Sequence, residues 1–201
     1  MVFLLSVGEL NENKNHRVVL EALARMKRMN KDISSLRYGI CGDGFFRRRM
    51  ERWILELGLK NHVTLYGHRG DIPQMLGCAD ATVFPSRREG LGMAGLESLA
   101  MGVPVIASDN RGTREYMEHG KNGFVCRYDD VDGFIRGIEA MRSLRPAQRE
   151  RMAEYCIASA RPFDRKYANA LMRRVYTDME RRIEAEAHGE KSGDQRHYGR
   201  I

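Results

Sequence analysis

The run Pro85-Ser86-Arg87-Arg88-Glu89-Gly90-Leu91-Gly92-Met93-Ala94-Gly95-Leu96-Glu97-Ser98-Leu99-Ala100-Met101-Gly102-Val103-Pro104 lies between two short apolar stretches, Ala81-Thr82-Val83-Phe84 and Val105-Ile106-Ala107. Both flanks are β-rich and bounded by turn residues, as buried strands are. From Met93 to Met101 apolar side chains recur at helical spacing, and Gly90 and Gly92 stand where the loop turns into that helix. Strand, glycine-rich loop, helix and strand make one βαβ unit, which implies a right-handed crossover in a parallel sheet.

The alternation continues in both directions. Strands are expected near Phe3 to Val7, Leu36 to Cys41, His62 to Tyr66, Ala81 to Phe84, Pro104 to Ala107 and Gly123 to Cys126. Helices are expected near Arg17 to Met29, Phe46 to Leu57, Ile72 to Cys78, Met93 to Met101, Thr113 to Glu118 and Val131 to Met141. Beyond Ser143 the strands stop, and two further helices follow, around Ala147 to Ala160 and from Phe163 to about Ala187. The fold class is α/β, a doubly wound parallel sheet in a single Rossmann-like domain with extra C-terminal helices. Its expected span is 1–187; residues 188–201, charged and without periodicity, read as a disordered tail.

A length of 201 residues suits one domain. A chain of this size hides about 70% of its unfolded surface, so its stability needs neither disulfide nor metal. With 42% apolar and 30% charged residues and 5 prolines, collagen-like, mucin-like and largely disordered chains are excluded. Cys41, Cys78, Cys126 and Cys156 are scattered without metal-ligand spacing and read as reduced thiols. No apolar run approaches the roughly 18 residues of a spanning helix, and Met1 to Val7 is too short and lacks the basic flank of a signal peptide. The expected location is cytoplasmic, with peripheral contact at the inner face of the membrane left open. The net charge of +7 points to an anionic partner, but 27 acidic residues are mixed among 34 basic ones. Nucleic acid is therefore a weak inference, and lipid headgroups or a nucleotide phosphate satisfy the same arithmetic.

Ligands of open parallel sheets bind beyond the carboxyl ends of the strands. The residues there are Gly8 with Lys14, Gly42-Asp43-Gly44, Gly67-His68-Arg69, Arg87 to Gly90, and Ser108-Asp109. Glu89 and Glu97 have seven residues between them. With the helix starting near Gly92, Glu97 lies about 7 Å along its axis. A diphosphate on the helix N-terminus would have a carboxylate at each end, with Gly90 and Gly92 freeing backbone N–H groups. The ordinary alternative is an ion pair of Glu89 with Arg87 or Arg88, and a solvated Glu97.

These residues resemble a known family, the donor-binding half of retaining, family 4 (group 1) glycosyltransferases of the GT-B fold, over about residues 2–180. The resemblance is carried by Ser6-Val7-Gly8 with Lys14, by Gly42-Asp43-Gly44, by Val63 to Ile72, and by the spaced glutamates. Ala100 to Pro104, continuing to Ser108, and Gly120 to Phe124 complete it. It implies that Gly8 approaches a diphosphate that Lys14 neutralises, and that His68 and Arg69 lie along the nucleobase. It further implies that Glu89 contacts the donor sugar, that Leu91, Gly92 and Met93 hold the distal phosphate beside Gly90, and that Glu97 holds the ribose. Glu89 and Lys14 are the implied catalytic residues. The implied donor is a UDP-sugar, used without cofactor or metal, for polysaccharide or glycolipid assembly.

Two departures from the family stand out. Glu9 occupies the place of a frequent second phosphate-binding arginine, so Glu9 is expected to point away or Arg17, Arg69 or Arg114 to supply the charge. The amino-terminal, acceptor-binding lobe of the family has no counterpart in these residues. The chain alone is thus expected to bind the nucleotide sugar with little transfer, the acceptor lobe coming from elsewhere. The alternatives are a non-catalytic nucleotide-sugar-binding subunit, a relic, or, less well supported, a basic nucleic-acid-binding protein. Phe45 to Trp53 can be read as a basic aromatic surface for nucleic acid or lipid, but its position opening the helix after the second strand favours apolar residues packed on the sheet with the arginines in water. His16, His62 and His119 read as structural, and Met26, Met29, Met93 and Met101 as core filling.

Overall fold

A computed structural model describes residues 1–187; the expected disordered tail lies outside the described residues. The strands are β1 (Val2–Val7), β2 (Leu36–Cys41), β3 (Val63–Gly67), β4 (Ala81–Phe84), β5 (Val105–Ser108) and β6 (Gly123–Cys126). All pair in parallel in the order β3-β2-β1-β4-β5-β6. The helices are α1 (His16–Arg28), α2 (Arg47–Glu56), α3 (Ile72–Gly77), α4 (Met93–Ala100), α5 (Val131–Ser143), α6 (Pro146–Ala160) and α7 (Arg165–Ala187). The doubly wound sheet is therefore as the sequence predicts. Contacts gather the chain into two units, Met1–Arg161 and the residues from Pro162 onward. In the second, α7 carries Leu171, Val175, Met179 and Ile183 exposed.

Alternation along β1 serves two layers. Phe3, Leu5 and Val7 join Cys41 and meet Ile72, Met75 and Leu76 of α3. On the opposite face Ser6 joins a buried chain: its Oγ donates to the Val83 carbonyl, it lies 2.8 Å from Tyr38 Oη, and Tyr38 Oη lies 3.3 Å from His16 Nδ1 of α1. The central strands β4 and β5 are buried throughout, each large apolar side chain contributing about 1.5–3 kcal/mol. Because chain order reverses between β1 and β4, their outgoing loops splay apart and leave a crevice over the carboxyl end of the sheet.

Two expectations need correction. Thr113 to Glu118 is not a helix; only Thr113–Glu115 turns, as a 3-10 segment. Thr113 Oγ1 donates to the Ser108 carbonyl, and the Asn110 and Thr113 side chains accept each other's backbone N–H, so local side-chain bonds replace helical ones. Of Met26, Met29, Met93 and Met101, expected as core filling, Met26 alone is buried: Met29, Met93 and Met101 are exposed, because they sit at helix ends where the buried stripe has run out. The cysteines are unpaired, Cys41 and Cys156 buried, Cys126 half-buried and Cys78 exposed. Burial pushes the Cys126 and Cys156 thiols up to about 12.

Burial also pulls the His16 imidazole from its ordinary 6.5 to about 4, with the Lys14 charge assisting and the Glu9 backbone opposing. Unfolded His16 takes up a proton below 6.5 while the folded residue stays neutral down to about 4. The unfolded state thus binds more protons in that window, and stability falls as pH falls across it. The loss is about 3 kcal/mol. Thermal unfolding of His16→Gln should accordingly show a flatter pH dependence between those values than the wild type; parallel curves would reject the assignment.

Candidate functional site

The loop leaving β1 and the loop leaving β2 are joined by backbone hydrogen bonds. Gly8 N–H donates to Cys41, Leu10 N–H to Asp43 and Phe46 N–H to Leu10, each at 2.9 Å. This closeness depends on Gly42, whose φ is +140° and where a Cβ would lie 1.9 Å from the Gly8 carbonyl oxygen. Asn13 then ties the first loop to the one leaving β4: its carbonyl accepts from Arg87 N–H at 2.8 Å, its Nδ2 donates to the Arg88 carbonyl at 2.9 Å, and its Oδ1 accepts from Arg88 N–H at 3.1 Å.

That clamp brings Lys14 to Glu89. Lys14 Nζ donates to Glu89 Oε1 at 2.7 Å, with the side chains 22% and 14% exposed, and lies 5.3 Å from the Phe84 ring centroid. The partner of Glu89 is Lys14, across 75 residues, and not Arg87, which pairs with Glu12 at 2.9 Å. Gly8 belongs to the same place, since a Cβ on it would meet Lys14 Cε at 3.3 Å.

Gly92 caps α4 at φ +82°, with no side-chain cap and no acidic residue in the first turn. The positive pole of the helix is thus open to an anion beside Glu89 and Gly90. Tyr116 Oη donates to the Gly92 carbonyl at 3.1 Å and fixes that turn. Leu91 is half-buried, Met93 is exposed, and Glu97 is exposed on the helix five residues beyond Gly92. Asn13 and Tyr116 escaped sequence reading. The amide next to Lys14 was the signal for Asn13, while Tyr116 acts from 24 residues away and carries no local signal.

His68 and Arg69, after β3, share with Gly8, Glu9 and Gly42 a cavity of about 340 Å³. Arg69 pairs with Asp71, which holds the Asp71 carboxyl below its usual range, and stands 6.0 Å from the Tyr66 ring. Glu9 lines this cavity and accepts from Asn11 Nδ2 at 2.9 Å. The three arginines expected to compensate it are all engaged by carboxylates: Arg17 by Glu21, Arg69 by Asp71 and Arg114 by Asp109. The structure therefore gathers Gly8, Lys14, Glu89 and the start of α4 at the crevice, with His68 and Arg69 on its flank beside Gly8. Among the described residues no group of His, Cys, Asp and Glu could hold a metal ion, and no helix is long and apolar enough to cross a membrane.

EpsD of Bacillus subtilis (strain 168) is 41% identical to this chain over 138 residues, which are 69% of the chain and 35% of EpsD. The lipopolysaccharide core biosynthesis glycosyltransferase LpsE of Rhizobium meliloti (strain 1021) is 32% identical over 151 residues, 74% of the chain and 42% of LpsE. The chain thus spans well under half the length of either relative. The crystal structure of Anabaena HepE in complex with UDP and glucose superposes with a TM-score of 0.78 over 88% of this chain and 48% of HepE, at 23% identity, a likeness of fold. Residues 2–158 match the sequence pattern of the glycosyl transferases group 1. That match covers more than half of the chain and agrees with the Rossmann-like sheet, and this chain belongs to the group 1 glycosyl transferases.

Proposed function

We propose that this chain is the donor-binding lobe of a retaining, family 4 glycosyltransferase that takes a UDP-sugar and passes its sugar to a polysaccharide or glycolipid acceptor. The observation that carries this reading is the meeting of Lys14 and Glu89 beside the open N-terminus of α4. A diphosphate entering there replaces the Glu89 carboxylate as the partner of Lys14 and lies against the helix pole, which together stabilise the charge that grows on the leaving diphosphate. No metal is needed for that task. Released from Lys14, Glu89 is free to accept from hydroxyls of the donor sugar, Glu97 holds the ribose, and His68 and Arg69 flank the base. The UDP and glucose in HepE, and the lipopolysaccharide role in the name of LpsE, agree with this assignment.

Transfer also requires an acceptor hydroxyl held against the anomeric carbon, a positioning effect worth about 7–11 kcal/mol. The acceptor lobe lies outside these residues, so the chain alone binds donor and hydrolyses it slowly at most. UDP and UDP-sugars should raise the melting temperature, with or without chelator. Calorimetry on Glu89→Ala then tests the roles. The variant should bind UDP at least as well as the wild type, because Lys14 is released, and UDP-sugar about tenfold less well, one charged hydrogen bond being worth about 1.5–3 kcal/mol. Equal losses for the two ligands would make Glu89 a scaffold residue, and no thermal response to any nucleotide sugar would remove the donor site.

A further inference from the structure

A second cavity, of about 190 Å³, opens on the other side of the first loop, between the starts of α1 and α2. Its volume is many times the ~10–15 Å³ that one water needs. The sequence places the apolar residues of Phe45 to Trp53 against the sheet and the arginines in water, and Met50 is buried while Arg48, Arg49 and Arg52 are exposed. The aromatic residues depart from this: Phe45 is 94% exposed, and Phe46 and Trp53 line this cavity with Arg49, with Arg17 from α1, and with Arg87 from the loop after β4.

The arrangement is that of a receptor for one negative charge on a hydroxylated ring. The Arg17 guanidinium lies 4.8 Å from the Trp53 ring centroid, and that of Arg49 lies 4.6 Å from Phe46. Arg17 Nε already donates to Glu21 at 2.7 Å, so a carboxylate or phosphate would meet the remaining N–H groups of Arg17 and those of Arg49. Arg49 has no carboxylate partner among the described residues. Neither α1 nor α2 has a side-chain cap or an acidic residue in its first turn, so both helix poles add to the positive field.

Two further groups narrow the class. Glu12, on the rim and paired with Arg87, opposes a second anionic charge on the occupant, which disfavours polyphosphate and nucleic acid. His16 lines the same cavity at 3% exposure, and its Nε2 has no hydrogen-bond partner, a buried polar atom that a ligand hydroxyl would satisfy. Aromatic surface, hydroxyl partners and a single anion site are together the chemistry that recognises a uronic acid.

We infer that the cavity formed by Arg17, Arg49, Trp53, His16 and Glu12 binds a uronate residue, a pyranose carrying one carboxylate, beside the donor cleft and not within it. Arg87 is two residues from Glu89, and His16 two from Lys14. Given the donor reading above, the site belongs to an acidic sugar of the acceptor; uronate binding itself does not depend on that reading.

Trp53 is the single tryptophan of the chain and therefore a reporter. Its fluorescence should change saturably on titration with glucuronate at millimolar concentration, with glucose and inorganic phosphate each at least about tenfold weaker. Arg49→Glu, an exposed change, should weaken glucuronate by at least about tenfold, since an attraction for the carboxylate is replaced by a repulsion (1.4 kcal/mol per decade). Its melting temperature and UDP affinity should stay at wild-type values. No response to glucuronate, an undiminished response in Arg49→Glu, or phosphate binding as well as glucuronate would each overturn the proposal. Loss of UDP binding in the wild type with glucuronate binding intact would strike only the donor reading.

Discussion

Replacing Lys14 by alanine is expected to weaken nucleoside diphosphate binding by roughly ten- to a hundredfold, the worth of a charge-assisted hydrogen bond of about 1.5–3 kcal/mol. The upper end is favoured by what the variant leaves behind. Glu89 is 14% exposed, and without Lys14 its carboxylate faces the incoming phosphates with no cation between them. The second substitution should therefore be compensatory: Lys14→Ala/Glu89→Ala should bind UDP more tightly than Lys14→Ala alone. Calorimetric titration of the two single variants and the double variant closes the cycle. A double variant that binds UDP no better than Lys14→Ala would mean that the two side chains meet without sharing a task at the phosphates.

Gly42→Ala should be the most destabilising single change at the site. The new methyl would lie 1.9 Å from the Gly8 carbonyl oxygen and would require a φ of +140°, which side chains rarely adopt. Backbone strain of this kind costs about 1–3 kcal/mol. The overlap adds to it, because the first two loops cannot separate without breaking the Gly8, Leu10 and Phe46 backbone bonds. A total of at least about 3 kcal/mol lowers the melting temperature by roughly 6–12 °C for a domain of this size. Gly90→Ala, where a Cβ meets nothing within 4 Å, is the control and should melt with the wild type. Equal melting of both variants would mean that the loops are free to part.

The sheet was legible because each strand is a short apolar run closed by glycine, proline or a charge, and all six were placed within a residue of where they lie. What misled sequence reading was local. Around Thr113 the spacing looked helical, yet hydroxyl and amide side chains close to the backbone captured the donors. The methionine pattern was carried past the last buried turn of each helix, to Met29 and Met101. Gly8, Lys14 and Glu89 stood out because loops at strand ends concentrate glycine and charge. The choice among Arg87, Arg88 and Lys14 as the partner of Glu89 was not legible, because it depends on Asn13 bonding to a loop 75 residues away. The cavity against Trp53 was hidden for the same reason. It is assembled from two helix starts and Arg87, and a helical periodicity reports only which face is apolar, not what stands opposite.

The distribution of thiols has a practical consequence. Cys41 and Cys156 are buried, Cys126 is half-buried with its thiol held protonated by burial, and Cys78 alone is exposed, at the end of α3. Electrophilic labels react with thiolate that solvent can reach, so the folded molecule offers a single attachment point. A dye on Cys78 reports from α3, which packs on one face of the sheet over β1, while Trp53 reports from α2, on the helix layer that covers the opposite face. Trp53 and a dye on Cys78 therefore form a donor and acceptor for energy transfer across the sheet without engineering a single cysteine.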